Sequence, residues 1–420
     1  DGKTLNYDVM TEQPGDEPVP VFSFLGRRSE HPRQVSCHIT HTTEETHDII
    51  RGSLDESPMY AGMIEGVGPR YCPSIEDKVM RFPHHEQHTL FLEPETSDGE
   101  SIYVNGLSTS LPKDVQERVV RAVPGLEDAA FLRYGYAVEY DVVAPQQVRR
   151  TLECRGVPGL YLAGQLVGTS GYEEAAALGF VAGVNAVLAR RGEGELSLER
   201  EDAYIGVLVD DVCGREHREP YRMFTSRAEH RLILGVDSAR ERLMGKGVAL
   251  GLVREAVFHV EHRRWERRRA AREALCAAQL NPDRRTREEV KRQTGVELTA
   301  PTTWAQILRR QDIDTRKVAA GLSELEGLSE EDRRIVIGLL RYDGYLARHE
   351  RERERVHRLR HVPIPPDLDL ASLPGVSREV AEALGRERPR TLADAERVAG
   401  MTPAAVALIA GRIARGRHPS

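Results

Sequence analysis

Gly159-Leu160-Tyr161-Leu162-Ala163-Gly164, followed by an Ala-rich stretch from Tyr172 to Leu188, is the segment on which the reading of the fold turns. The apolar run bounded by glycines predicts a short buried strand ending in a glycine turn, and the stretch after it predicts a helix. Strand, glycine turn and helix make an α/β unit that sets a helix N-terminus beside a ligand. The turn itself, Ala163-Gly164-Gln165-Leu166-Val167-Gly168-Thr169-Ser170-Gly171-Tyr172-Glu173-Glu174-Ala175, has glycines that let the backbone approach a planar or phosphorylated group. Gly179 and Gly183 predict a small-residue face on the helix for packing against a sheet or cofactor. The spacing that grips a pyrophosphate, G-x-G-x-x-G, is absent from the 420 residues, as is a P-loop.

Working outward, residues 1 to about 150 mix β-type runs with turn signals. The runs are Val21-Phe22-Ser23-Phe24-Leu25, His88-Thr89-Leu90-Phe91-Leu92 and Ser101-Ile102-Tyr103-Val104, which predict an α+β or α/β region. From about residue 200 the strand signals almost vanish. Ile335, Leu339, Tyr342 and Leu346 predict a helix, with Ser329 as its cap and Glu330, Glu331 and Asp332 in its first turn. Arg348 to Arg360 alternates Arg and Glu and reads as a solvated face with i,i+4 pairs. Arg254 to Glu273 holds seven Arg against four Glu, which fits either a phosphate-facing strip or an ordinary solvated face. Near the C-terminus, Leu373-Pro374-Gly375-Val376-Ser377 and Val398-Ala399-Gly400-Met401-Thr402 form a faint repeat. Ser377 and Thr402 are natural caps, and Pro403 falls at a first helical position. Such glycine-turn helical pairs dock on nucleic acid backbones or on protein partners. The division expected is 1–145, 146–200 and 201–420.

Composition narrows the classes. The net charge of −7 excludes a protein basic all over, but not a local basic face that binds nucleic acid. Aromatics at 5% argue against stacking platforms as the main activity. There is no apolar run long enough for a membrane span, and the N-terminus, Asp1-Gly2-Lys3-Thr4, shows no signal or transit peptide pattern. The chain starts at Asp1 without a Met, as a processed chain or a part of a longer one would. Its five cysteines (Cys37, Cys72, Cys154, Cys213, Cys276) are far apart and odd in number, a reducing-compartment pattern.

Three constellations could carry chemistry. In Glu65-Gly66-Val67-Gly68-Pro69-Arg70-Tyr71-Cys72-Pro73-Ser74-Ile75-Glu76-Asp77-Lys78, glycines and prolines force a tightly turned backbone around one thiol. Arg70, Lys78 and Arg81 are near enough in sequence to favour a Cys72 thiolate, while an inert structural cysteine is the alternative. Histidines cluster early, at His31, His38, His41, His47, His84, His85 and His88, but Cys37-His38-x-x-His41 fits no zinc template, and no metal is expected. Gly206 to Asp211 and Glu219 to Glu229 are dense in polar groups, with Ser226 and Glu229 spaced as a capping box at a helix junction.

These segments together closely resemble one family, the tRNA uridine 5-carboxymethylaminomethyl modification enzymes, MnmG/GidA. The resemblance is carried by Pro58 to Gly62, Gly68 to Phe82, Phe91 to Glu95, Asn105 to Pro112 and Gly135 to Asp141. It continues through the Gly164-Gln165 turn, Gly171 to Ala175, Pro220 to Glu229 and Thr402 to Ala405. It runs from about residue 5 to the end. It implies a glutathione-reductase-like FAD/NAD(P)-binding domain, present in part, with an α+β insertion domain, followed by a long helical C-terminal domain; by it, 1–145 is the nicotinamide-associated insertion, 146–200 the returning C-terminal part of the FAD-binding domain, and 201–420 a helical tRNA- and partner-binding domain. The expected product is a carboxymethylaminomethyl or aminomethyl group on C5 of the wobble uridine. FAD, NADH and methylenetetrahydrofolate are the cofactors implied, with glycine or ammonium as the amine. The partners implied are tRNA, an MnmE-type GTPase in a heterotetramer and a second copy in a homodimer, in the cytoplasm and with no membrane.

By the same resemblance Cys72 is an essential catalytic thiol, acting as a nucleophile or as an acid/base at the pyrimidine ring. The nicotinamide-associated segment is Gly68, Pro69, Arg70, Tyr71, Pro73, Ser74, Ile75, Glu76, Asp77, Lys78, Val79, Met80, Arg81 and Phe82, and Gln165 contacts FAD. The shorter folate- and FAD-dependent tRNA methyltransferases fit less well, because they lack a long helical tail. Two features depart from the family pattern. Gly214-Arg215-Glu216-His217-Arg218 stands where a Gly-Thr precedes the Glu-Pro-Tyr-Arg run, and the family's initial FAD-binding βαβ unit, with a further essential cysteine, has no counterpart here. A non-catalytic tRNA- or partner-binding portion of that enzyme is the rival expectation.

Overall fold

The computed structural model describes residues 1–17, 19–21, 32–58, 60, 74–137, 140–214, 217, 219–360, 362–366, 368, 378–396, 398, 401 and 403–416. They divide into two compact units, Asp1–Ser197 with Leu208–Phe224, and Leu198–Val207 with Thr225–Ser420. No helix among the described residues is long and apolar enough to cross a membrane.

The first unit opens on an antiparallel meander, β1 (Thr11–Gln13), β2 (Cys37–His41), β3 (Thr89–Pro94) and β4 (Ile102–Asn105), in that spatial order. The two β runs expected around residues 90 and 103 are β3 and β4; Phe22 to Leu25 lie outside the described residues. β3 turns Leu90 and Leu92 to one face, as a half-buried strand must. That face packs on α1 (Glu44–Gly52), α2 (Ile75–Arg81) and α3 (Lys113–Arg121), through Ile50, Ile75, Val79, Val115 and Val119. Thr43 and Thr46 close a capping box at the start of α1.

Beside this core, Thr42 Oγ1 accepts the His88 amide at 2.8 Å and lies 2.8 Å from His47 Nε2. The hydroxyl keeps its proton and a second lone pair, so its direction toward His47 follows the imidazole tautomer. Burial lowers the pKa of both histidines, and Arg51 further lowers that of His47.

The run Gly159–Gly164 departs from expectation. It is a turn with one bridge, Glu153 to Tyr161, and not a strand. Leu162 N–H donates to Leu152 O and Cys154 N–H to Leu160 O, but Leu152 and Gly159 sit at φ of 67° and 82°. Left-handed residues at both sides curl the backbone and stop the ladder. The helix that follows, α4 (Tyr172–Arg191), is where the Ala-rich stretch predicts it, and Gly192 at φ 68° ends it. Its buried face is Leu178, Val181, Ala182, Asn185 and Leu188. Gly179 and Gly183 are on the other side, with nothing within 4 Å of a built Cβ among the described residues, so the close small-residue packing expected of them is not seen there. α5 (Tyr204–Gly214) carries the boundary between the units.

The second unit is helical: α6 (Val236–Ala249), α7 (Glu255–Ala277), α8 (Arg284–Thr294), α9 (Trp304–Leu308), α10 (Thr315–Ala320), α11 (Glu330–Arg341) and α12 (Asp343–Arg360), with a two-stranded β5 (Gln279–Leu280) and β6 (Thr302–Thr303). Leu275, Trp304, Leu308, Leu325, Val336 and Leu340 share one core. α13 (Arg378–Glu387), α14 (Leu392–Glu396) and α15 (Pro403–Gly416) have another, through Leu384, Leu392 and Ile409. Pro403 begins α15 as predicted; Ser377 and Thr402 lie outside the described residues.

Two helical expectations change. Ser329 does cap α11, accepting the Asp332 amide, but the core face is Val336, Ile337 and Leu340. Tyr342 is exposed and ends that helix, and α12 starts at Asp343, where Arg309 donates to the carboxylate. The Arg-rich strip of α7 is largely consumed by internal acids. Arg264 donates to Asp332 at 2.8 and 2.9 Å and to Glu331 at 2.7 Å. Arg268 lies 3.4 Å from Asp332, Arg269 pairs with Glu241 and Arg272 with Asp343. A helix with 3.6 residues per turn spreads its arginines around the cylinder, so the inward ones find partners.

Asp332 is the buried centre of that network. Burial alone would raise its carboxyl, but hydrogen bonds from Arg264 and Ser329 hold it below the usual carboxylate range. Asp332→Asn leaves the buried Arg268 without its carboxylate, while Arg264 keeps Glu331, and this costs about 3–5 kcal/mol in urea unfolding at neutral pH. Because the folded pKa is the lower one, this stabilisation is present above the unfolded value of about 3.9 and lost as pH falls through the folded value, so the gap between variant and parent closes in acid. In the first unit the sign follows the histidines. Their folded pKa values lie below the unfolded value of about 6.5, so unfolding takes up protons and stability declines as pH drops from there. Thermal melts from about pH 7 to about pH 5 should show this decline, and His47→Gln with His88→Gln should flatten it.

Candidate functional site

α2 is short, yet four groups of the Asn105–Pro112 segment hold it. Ser108 O accepts the Ile75 amide at 2.7 Å, Gly106 O accepts Lys78 Nζ at 3.1 Å, and Thr109 Oγ1 and the Ser110 amide donate to Glu76 Oε1 at 2.9 and 3.2 Å. Gly106 has φ 98°, and a Cβ there would sit 3.0 Å from Thr89 O, so only glycine serves. Burial lowers the Lys78 pKa, and burial raises that of Asp77 against the opposing pull of Arg81.

The expected nicotinamide segment therefore divides. Ile75 and Val79 serve the core, and Ser74, Glu76 and Asp77 are buried, with Oγ of Ser74, Oε2 of Glu76 and Oδ2 of Asp77 lacking hydrogen-bond partners among the described residues. Met80, Arg81 and Phe82 are on the exposed side. Gly68, Pro69, Arg70, Tyr71, Cys72 and Pro73 lie outside the described residues. Of the cations expected near Cys72, Lys78 is tied to Gly106 O, and Arg81 reaches Glu219 at 3.2 Å and Asp77 at 3.9 Å.

The Arg81–Glu219 pair leads to the second segment. Glu219–Phe224 runs beside the glycine turn, where Tyr221 N–H donates to Gly168 O at 2.8 Å and Tyr221 bridges Thr169 in parallel. Tyr221 is fully buried, and its hydroxyl donates to Asp211 Oδ2 at 2.8 Å. From the other side, Glu174 Oε1 accepts the Met223 amide at 2.8 Å. A Cβ on Gly171 would meet Glu174 Oε2 at 1.8 Å and Arg222 Nη1 at 2.4 Å, so a side chain there would displace the ends of both.

The turn is a 3-10 element, Gly164–Val167, with Gly164 and Gly168 at φ 68° and 89°. It leaves Gln165, Leu166 and Tyr172 exposed, and Val143 N–H donates to Leu166 O at 2.8 Å. Three segments distant in sequence, α2, the glycine turn and Glu219–Phe224, thus meet within one unit. The partners that join them, Glu174, Tyr221 and the Gly106 loop, carry no sequence signal of their own beyond their place in the quoted motifs.

Ser226 and Glu229, expected as a capping box, do something else. Thr225–Arg227 is a single 3-10 turn, and Arg200 grips Glu229 with Nε and Nη2 at 2.8 and 2.9 Å. Burial would raise the Glu229 carboxyl, but Arg200 holds it below its usual range. Two other cysteines are not activated: burial pushes the Cys213 thiol up to about 12, and burial with Glu93 raises that of Cys37.

Comparison with known proteins agrees along the chain. Residues 1–194 match the family model described as glucose inhibited division protein A. Residues 259–350 and 352–419 match the C-terminal helical domain and helical bundle of tRNA modifying enzyme MnmG/GidA. Two crystal forms of Aquifex aeolicus GidA, forms II and I, are 35% and 37% identical to the chain over 98% of its length, each with a TM-score of 0.79. The chain spans only 65% and 66% of the length of those two GidA chains.

Glu174→Ala leaves the Met223 amide without an acceptor and frees the Glu219–Phe224 segment from the helix. The expected cost is about 1–3 kcal/mol in thermal unfolding. Amide hydrogen exchange at Met223 should accelerate, while that of β3 stays unchanged.

Proposed function

We propose, because this chain belongs to the MnmG/GidA family, that it is the larger part of a FAD-dependent enzyme modifying C5 of the wobble uridine of tRNA. The group added is carboxymethylaminomethyl or aminomethyl, its one-carbon unit coming from methylenetetrahydrofolate. The enzyme acts in the cytoplasm as a homodimer with an MnmE-type GTPase. The observation that carries this reading is the meeting of α2, the glycine turn and Glu219–Phe224 in a chain that aligns with GidA over 98% of its length.

The residues present fit one wall of a flavin site. Gln165 offers an exposed amide, Leu166 and Tyr172 offer exposed apolar surface, and Gly164 and Gly168 hold the turn that presents them. FAD bound there would supply reducing power drawn from NADH. The chain's own part is to orient that group through Gln165 and to present the Gly68–Phe82 segment toward the nicotinamide. α2 and its Asn105–Pro112 brace fix the end of that segment. Cys72 supplies the thiol, as nucleophile or as acid/base at the pyrimidine ring.

A second reading is a tRNA- or partner-binding portion that catalyses nothing alone; the matches of residues 259–350 and 352–419 to the helical domains of tRNA modifying enzyme MnmG/GidA support it. Flavin retention separates the two. The chain mixed with FAD and desalted keeps visible flavin absorbance on the first reading and emerges colourless on the second. In the full-length protein, Cys72→Ser should cut wobble-uridine modification, read by mass spectrometry of digested tRNA, by at least about a hundredfold. Unchanged modification removes Cys72 from the mechanism.

A further inference from the structure

Two imidazoles, His47 on α1 and His88 just before β3, are packed against each other in the first unit, with ring centroids 5.2 Å apart. They are 2% and 8% exposed. Residues 81–87, which lead from the end of α2 to His88, are all exposed. His88 is thus the point at which an exposed connector re-enters the core.

The re-entry is fastened at several places. His88 N–H donates to Thr42 Oγ1 at 2.8 Å, and Thr42 N–H donates back to His88 O at 3.0 Å. Thr42 Oγ1 also lies 2.8 Å from His47 Nε2, so one hydroxyl joins both histidines. Outward along the connector, the His85 ring is 5.8 Å from that of His88 and stacks on Phe82 at 5.6 Å. His85 N–H donates to Phe82 O, and Phe82 N–H to Lys78 O in the last turn of α2. A continuous path of contacts therefore runs from the buried pair to the end of α2.

The surroundings suit this pair only while it is uncharged. Around His47 stand Arg51, Asp48 and Glu44 of its own helix; around His88 stand His47, Lys78 of α2 and His85 of the connector. No titratable group of α3 or of the sheet acts on either among the described residues. The two rings differ in one respect. His47 has two carboxylates to offset Arg51, but His88 faces only groups that are or become cations. Its Nε2 is buried and has no hydrogen-bond partner among the described residues. An imidazolium carries N–H on both nitrogens, so a charged His88 would leave a buried donor unmade beside Lys78 and a second imidazole. Burial, His47, Lys78 and His85 all lower its pKa from the ordinary histidine value.

We propose that His88, seated against His47 and Thr42, is a proton-operated latch. Neutral, it holds the connector and the last turn of α2 to the core; on taking up a proton it swings out and releases them while the core stays folded. Ejection lets water solvate the charge and removes the repulsion from Lys78, whereas His47 stays behind with Asp48 and Glu44. The rest of α2 is held independently, since Ser108 O, Thr109 and Ser110 brace its start and Gly106 O keeps Lys78. Release is therefore local and linked to one proton. The open form takes up that proton at about the ordinary value of 6.5, and the closed form only below it. Opening thus grows by about tenfold per pH unit below that value, and levels off once the closed form is protonated too. The released run is the end of the Gly68–Phe82 segment; its bearing on the nicotinamide rests on the functional reading above, and the latch itself does not.

The test uses the 420-residue chain and amide hydrogen exchange read by mass spectrometry from about pH 7.5 to about pH 5, corrected for intrinsic pH dependence. Protection across residues 79–88 and at Thr42 should fall by about tenfold per pH unit below about pH 6.5. At every pH it should stay at least about a hundredfold below that of α4, which marks a local opening. His88→Gln keeps a neutral side chain in the same place and should make that protection independent of pH over this range. His84→Gln with His85→Gln removes the exposed histidines and should retain the slope.

A parent chain whose protection at 79–88 does not change down to about pH 5 overturns the latch, as does a His88→Gln chain that retains the parental slope. Loss of the slope in the chain lacking His84 and His85 places the sensor on the surface and also overturns it. Exchange at 79–88 and in α4 converging on one value in acid overturns it in favour of general unfolding. Should His88→Gln not fold, NMR of the parent decides. A His88 ring signal that titrates like those of His84 and His85 overturns the latch; one that titrates below them, with protection already falling from about pH 6.5, supports it.

Discussion

Tyr221 holds the first unit's site together. It is a large side chain buried to 1% exposure, and it makes contact in two directions at once. Its backbone amide closes on Gly168, its hydroxyl on Asp211, and its neighbour Met223 is tied to Glu174. Each of these bonds joins pieces more than ten residues apart or on different elements, so none could be made by local propensity. A buried hydroxyl must find a partner, and Asp211 on α5 is that partner. The glycine turn is thereby clamped from its C-terminal side, while Gly164 and Gly168 supply the backbone conformations the turn needs.

The clamp explains why motif residues divide into those that support and those that face outward. Asn105–Pro112 is as motif-like in sequence as Gly68–Phe82, yet its carbonyls, hydroxyl and amide are turned inward on α2. Its role is to let a helix of seven residues persist, since a helix that short is not stable by itself. Others face outward, Met80, Phe82, Gln165, Leu166 and Tyr172 among them. A motif thus marks a position under constraint, and only burial says whether the constraint is packing or contact.

Legibility in the sequence followed the range of the interaction. α4 was readable from its own composition, and the Ser329 cap of α11 and the Pro403 start of α15 from a few neighbouring residues. The β3 and β4 strands were readable because one face of each is apolar. Where the deciding partner is distant, local pattern misled. Gly159–Gly164 has the composition of a strand, but its fate is set by the left-handed Leu152 and the turn it faces. The stripe Ile335, Leu339, Tyr342 and Leu346 is periodic, yet the core selected the adjacent stripe, because Asp332 must lie inward to receive Arg264. Arg81–Glu219 and Arg200–Glu229 span well over a hundred and about thirty residues, and no spacing in the sequence announces either.

The same competition between distant charges decides where cationic character survives. α7 is the most arginine-dense helix by sequence, but Asp332, Glu331, Glu241 and Asp343 neutralise the inward and flanking arginines. Arg263 and Arg267 on the exposed side of α7 have no ion pair or hydrogen bond among the described residues, and neither do the side chains of Arg316 in α10 and Arg334 in α11. A chain of net charge −7 therefore keeps unpaired positive charge on each of these helices, wherever internal acids do not reach. Attraction for a polyanion depends on charge left over after internal pairing and focused by shape, so the arginine count of a helix is a poor guide to it.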